Sequence, residues 1–219
     1  MADACRELNT PVTGGNVSFY NEFEGKAVYP SPVIGMVGII DSIDSVTRSG
    51  FKTPGDQIVL IEPDGVMLHL GGSHYLEHVE GRIVGPCPDI DLGEARALVE
   101  IMLSLIHGKL INSAHDISEG GLAVALCECI LRSAEKVGAV ISLPERERCD
   151  IELFSEAQSR VVVTADCAHM KSIQDLCSRK GFCAQRIGMV VEEPLLSVKP
   201  VIDVCFKDML SSYERLPWK

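Results

Sequence analysis

The sequence predicts an α/β protein in which helices pack on a sheet, and three observations carry that expectation. Short apolar, β-branched runs of strand length recur along the chain. Segments with apolar residues at helical spacing lie between them, so strands and helices alternate. At 219 residues the chain is also long enough to bury a sizeable core.

The elements follow in order. VIGMVGIID (33–41) reads as a buried strand, and QIVLIEP (57–63) as a second, entered through the turn TPGD. A glycine-rich irregular stretch precedes a helix on which Leu98, Ile101, Met102, Leu105 and Ile106 form one stripe. Asp91 is placed to cap that helix, with Glu94 three residues later, and Gly108 to end it. INSAHDIS leads from a strand into a loop and a helix over 119–135, followed by a strand at AVISL (139–143). A short helix is expected over 147–158, a strand over 159–166 and a helix over 167–181. A strand over 184–191 and a closing helix over 203–216 complete the pattern. The first 30 residues fit it poorly and read as part of something else.

Composition narrows the function classes. A formal net charge of −11 argues against a broad cationic surface tracking a nucleic-acid backbone. An apolar content of 46% argues against disorder. The apolar runs stop well short of the roughly 20 residues a bilayer span needs. The nine cysteines are scattered, with no C-x-x-C pair, which favours buried free thiols in a reducing cytosol over zinc or disulfides. The segment MADACRELNTP has no apolar stretch of the kind a secretory signal carries, so a cytoplasmic location is expected.

Three stretches have residues suited to chemistry. In TGGNVSFYNE (13–22), Gly14 and Gly15 let the backbone approach an anion, Asn16 offers an oxygen to a hard cation, and Ser18 a hydroxyl to a polar ligand. An ordinary Gly-Gly turn fits the same residues. In AHDISEGGLAVAL (114–126), Asp116 or Ser118 can cap the following helix, Gly120 and Gly121 open its first turn, and Asp116 is the acid best placed to bind a metal or to hold a basic partner. A strand-to-helix turn with close packing is the alternative. In LFSEAQSR (153–160), Ser159 or Arg160 suits a phosphate, while Glu156 and Arg160 at four-residue spacing suit a local ion pair. His74 and His78 share i, i+4 spacing, but Tyr75 stands where a zinc-protease motif has Glu, so a surface helix is expected there.

TGGNVSFYNE, PSPVIGMVGIID, AHDISEGGLAVAL and LFSEAQSRVVV, in this order over nearly the whole chain, resemble the phosphoribosylformylglycinamidine synthase (formylglycinamidine ribonucleotide synthase) family. Its wider superfamily includes aminoimidazole ribonucleotide synthetase, selenophosphate synthetase and a hydrogenase maturation protein. The resemblance implies an α/β (α+β) fold with a mixed sheet flanked by helices, like the aminoimidazole ribonucleotide synthetase C-terminal domain. It implies that residues 1–30 are the tail of a second N-terminal-type domain and 31–219 a C-terminal-type domain. The implied reaction is ligation: ATP with Mg2+ phosphorylates the amide oxygen of formylglycinamide ribonucleotide, and glutamine-derived ammonia displaces the phosphate.

Carried over residue by residue, the resemblance places an ATP contact on Gly15, a magnesium ligand on Asn16 and a substrate contact on Ser18. Thr13 and Gly14 stand where the family often has Ser-Gly. Asp116, Ser118, Gly120, Gly121, Glu156, Ser159 and Arg160 correspond to an auxiliary nucleotide position, with no catalytic residue in this stretch of chain. The expected partners are the missing N-terminal part of the synthetase, a glutaminase subunit or domain, and a small accessory subunit. The chain is expected to be inactive alone. The alternatives are a structural or nucleotide-binding docking module, or another synthetase of the superfamily.

Overall fold

The computed structural model describes residues 1–18, 20–144 and 148–215. Residues up to Ser45 and those from Val46 onward form two separate units.

The first unit holds helix α1 (Ala2–Glu7) and a hairpin of two short strands, β1 (Glu22–Phe23) and β2 (Lys26–Ala27). The strand expected over 33–41 is not there. The segment is irregular, and Val37 is 101% exposed. A strand needs a neighbour for its backbone groups and a surface for its side chains, and sequence preference supplies neither. The described residues of this unit offer only the two-residue hairpin.

The second unit runs β3 (Gln57–Pro63), α2 (His74–Glu80), α3 (Leu92–His107), β4 (Ser113–Asp116), α4 (Gly121–Leu131), β5 (Gly138–Ile141) and α5 (Cys149–Phe154). It continues with β6 (Val161–Ala165), α6 (Met170–Ser178), β7 (Phe182–Val191), β8 (Leu195–Val198), β9 (Ile202–Cys205) and α7 (Phe206–Glu214). The strands form one seven-stranded sheet in the order β4-β6-β3-β7-β5-β8-β9. All its pairs are antiparallel except β5 with β8, so the sheet is mixed, as expected.

Both faces of the sheet are covered, which explains the unbroken apolar run of β3. Ile58 and Leu60 join one core with Leu122 and Leu126 of α4, Leu153 of α5 and Met209 of α7. Val59 and Ile61 join the other with Ile101 and Leu105 of α3 and Ile173 and Cys177 of α6. Asp91 caps α3 by accepting from the Glu94 amide at 3.0 Å, and Gly108 follows its last residue.

Four expectations are corrected. The helix over 119–135 is the shorter α4, and its N-cap is Gly120, with no side-chain cap from Asp116 or Ser118. The short helix ends at Phe154 because Ser155 turns extended; Glu147 lies outside the described residues. Residues 203–205 of the expected closing helix belong instead to strand β9, and Leu216 lies outside the described residues. Of the nine free cysteines only Cys129 and Cys177 are buried; burial pushes the Cys177 thiol up to about 11. Among the described residues no helix is long and apolar enough to cross a membrane.

Candidate functional site

The chemistry-bearing residues of the second unit gather where β3, β4 and β6 meet the first turn of α4. Pairing of β3 with β6 sets Ile61 opposite Val161. The next residues outward, Glu62 and Arg160, then come together: Arg160 Nε donates to Glu62 Oε2 at 2.9 Å. The Arg160 side chain is fully buried, and its Nη1 donates to the Ser155 carbonyl at 3.4 Å. The Ser155 hydroxyl accepts from the His69 amide at 3.2 Å. Arg160 is thus tied to the strand pair and to the loop before α2.

Glu156 and Arg160 do not form the expected local pair. Four-residue spacing brings side chains together only on a helix, and α5 has already ended at Phe154. Glu156 turns the other way. Its Oε1 accepts from the Gly120 amide at 2.8 Å and from the His74 amide at 2.9 Å, with His74 Nδ1 at 3.5 Å. One carboxylate therefore serves the N-terminal ends of both α4 and α2, where unpaired amides attract negative charge. Stacking of Tyr75 on Phe154, with centroids 4.5 Å apart, holds α2 at the same place.

The glycines at the start of α4 are required by space. Gly121 has φ +69°, and a Cβ there would lie 2.7 Å from the backbone of Phe154. Gly120 has φ +79°, and a Cβ there would strike Val124. Ser159 is half-buried with φ 60°, a left-handed conformation at the entry to β6. Asp116, the last residue of β4, keeps its carboxylate 76% exposed. Ser118 contributes its carbonyl to the Gly121 amide.

Gly15, Asn16 and Ser18 belong to the first unit and are exposed. Ser18 Oγ accepts from the Tyr20 amide at 3.3 Å, which shapes the turn before β1. No group of three His, Cys, Asp or Glu among the described residues is arranged to hold a metal, and His74 faces Glu156 rather than a shared site with His78. The residues that the sequence left unassigned are Glu62, which only strand pairing brings to Arg160, and Glu128 and Arg132, whose i, i+4 spacing on α4 was legible.

Two family models match this chain in order. Residues 1–40 match the AIR synthase related protein N-terminal domain, and residues 53–200 the AIR synthase related protein C-terminal domain. The chain belongs to the AIR synthase related family. The C-terminal-domain match takes in the whole sheet up to β8 and every residue gathered around α4.

Among AIR synthase related proteins, the chain is 44% identical over 178 residues to phosphoribosylformylglycinamidine synthase subunit PurL of Symbiobacterium thermophilum, covering 80% of this chain and 23% of that protein. It is 40% identical over 224 residues to PurL of Caldanaerobacter subterraneus, covering 100% of this chain and 30% of that protein. The chain spans less than a third of the length of these curated relatives. The fold is shared with Thermotoga maritima PurL complexed with FGAR, at a TM-score of 0.65 and 21% identity, covering 76% of this chain and 30% of that one. PurL complexed with ATP gives 0.60 and 22%, with 76% and 27% covered, and PurLQS 0.59 and 21%, with 75% and 27% covered.

Proposed function

We propose that this chain is part of a PurL-type ATP-dependent ligase that converts formylglycinamide ribonucleotide to its amidine with glutamine-derived ammonia in purine biosynthesis. The observation that carries the proposal is identity of 40% over the full chain to PurL, with the two domain types in the same order. Residues 1–30 then belong to an N-terminal-type domain, whose match runs on to residue 40, and the C-terminal-type domain follows it. Solved complexes of PurL with FGAR and with ATP support the substrate and nucleotide. The PurLQS assembly supports further subunits, here a glutaminase and a small accessory subunit. The cytoplasm is the proposed location.

In this proposal Gly15 contacts ATP, Asn16 is a magnesium ligand and Ser18 contacts the substrate. The donor set suits a share of that task. The Gly15 backbone is open, with nothing within 4 Å of where a Cβ would stand, and Asn16 supplies one neutral oxygen. Magnesium favours carboxylates and phosphates in octahedral array, so its remaining ligands come from the nucleotide and from other parts of the ligase. Bound MgATP supplies the phosphoryl group that activates the substrate's amide oxygen.

Asp116, Ser118, Gly120, Gly121, Glu156, Ser159 and Arg160 are proposed to surround an auxiliary nucleotide. Asp116 is the member with an open carboxylate; Glu156 and Arg160 engage Gly120, His74 and Glu62. Assay of the purified chain with formylglycinamide ribonucleotide, MgATP and ammonia tests the proposal. The expected outcome is no amidine, and turnover by the chain alone contradicts the division of labour.

A further inference from the structure

Val33, Ile34, Met36, Val37, Ile39 and Ile40 follow one another within a single short segment, and each is between 60% and 101% exposed. Single exposed apolar residues are ordinary, but a contiguous set marks a surface that something else covers. Nothing in the segment gives it another reason to face water: residues 27–40 carry no charged side chain. The main chain is open as well. Among the described residues no backbone hydrogen bond joins 33–40 to another segment. Nothing lies within 4 Å of where a Cβ would stand at Gly35 or Gly38.

The order of the residues says what kind of cover fits. In an extended strand, alternate side chains point to opposite faces. Val33, Val37 and Ile39 then share one face with Gly35, and Ile34, Met36 and Ile40 the other with Gly38. Both faces are apolar, the pattern of a strand inside a sheet that is covered on each side. β3 has the same pattern and occupies such a place. The two glycines leave room for a neighbouring main chain to come close on either face. Pairing with a second copy of the segment would supply hydrogen bonds along one edge and leave both faces wet. A partner sheet with layers of its own supplies the edge and the cover together.

We infer that Val33–Ile40 is a docking strand, irregular in this chain alone, that becomes an inner strand of a sheet in the N-terminal portion of the ligase. The inference rests on the proposal that the chain is part of a PurL-type ligase. Residues 1–40 match an N-terminal-type domain, in a chain that spans less than a third of its relatives' length, which argues for that occupant over a second copy. A strand added to a sheet edge draws affinity from main-chain hydrogen bonds and specificity from its alternate side chains.

The test is amide hydrogen exchange in the full chain, alone and co-expressed with the remaining N-terminal portion of a PurL synthetase. Alone, the amides of 34–40 should exchange as open chain; in the complex they should slow by about 100-fold or more. Neighbouring residues face opposite ways, so Met36→Asp and Val37→Asp should each weaken the complex at least about tenfold by placing a charge in an apolar layer. Val37→Ile should stay within about threefold of the wild type. Urea unfolding of the free Asp variants should match the wild type, which separates lost docking from lost folding. Failure to form a complex, fast exchange of 34–40 within it, or weakening by only one Asp variant overturns the inference. Protection of 34–40 in the chain alone, with a doubled mass in sedimentation, assigns the segment to a second copy and overturns it too. Amidine formation by the complex reports separately on the ligase. An active complex with unprotected 34–40 loses the docking strand and keeps the ligase; a protected complex that forms no amidine keeps the strand and counts against the ligase.

Discussion

Two stretches of this chain have nearly the same character and opposite fates. Val33–Ile40 and Gln57–Pro63 are both apolar and rich in β-branched residues. The first is irregular and exposed, with Val37 wholly open to solvent. The second lies inside the seven-stranded sheet, paired with β6 and β7, and its Ile58, Val59 and Ile61 are at 0% exposure. The difference is not in the residues but in what surrounds them. β3 has a neighbour on each side and a core on each face, whereas the described residues up to Ser45 provide two paired strands of two residues each. A strand is a property of a sheet.

The contrast can be broken or sharpened by experiment. The largest effect is expected from Arg160→Ala, which leaves Glu62 without its buried partner. A loss of about 3 kcal/mol in urea unfolding followed by far-ultraviolet circular dichroism is predicted, in the range for breaking one side of a buried pair. Gly121→Ala comes next, since it combines φ +69° with a Cβ 2.7 Å from backbone. It should cost about 2 kcal/mol in the same measurement. Val37→Asp should change unfolding by less than about 0.5 kcal/mol, because that side chain is already wholly exposed. A large loss in this variant would show that the segment is buried after all.

The smallest effect concerns pH. Burial raises the Asp56 carboxyl above its ordinary value, against the lowering hydrogen bond from Asn112. A raised acid binds its proton more tightly folded than unfolded, so it favours the folded state in acid and opposes it as pH rises through the folded value. Asp56→Asn removes that dependence. Its stability relative to the wild type should therefore improve slightly from pH 4 toward pH 7, read from unfolding midpoints across that range.

Much of the second unit was legible in its sequence. β3 has the predicted ends, and α3 has its predicted cap at Asp91 and stop at Gly108, because local turn and capping chemistry decides both. β8 and β9 were not legible: four residues each, they become strands only by pairing with β5 and with each other. The candidate site was legible as residue types and not as partnerships. Arg160 was singled out, but its partner Glu62 lies 98 residues away and meets it only through the β3–β6 register. Glu156 was matched to the wrong cation because its segment was taken as helical, and its true partners are main-chain amides that no side-chain pattern encodes.

The same contrast bears on function. The residues proposed to face ATP, magnesium and substrate, Gly15, Asn16 and Ser18, lie in the unit with few partners of its own. Those proposed for the auxiliary nucleotide lie in the well-packed one. On this account the active site is completed by the rest of the ligase. The most direct measurement is reconstitution: the chain is mixed with the remaining N-terminal portion of a PurL synthetase and assayed for ATP-dependent amidine formation with ammonia. The account predicts activity that neither part shows alone and that falls at least tenfold with Asn16→Ala. Turnover by the chain alone, or a reconstituted activity indifferent to Asn16→Ala, would contradict it.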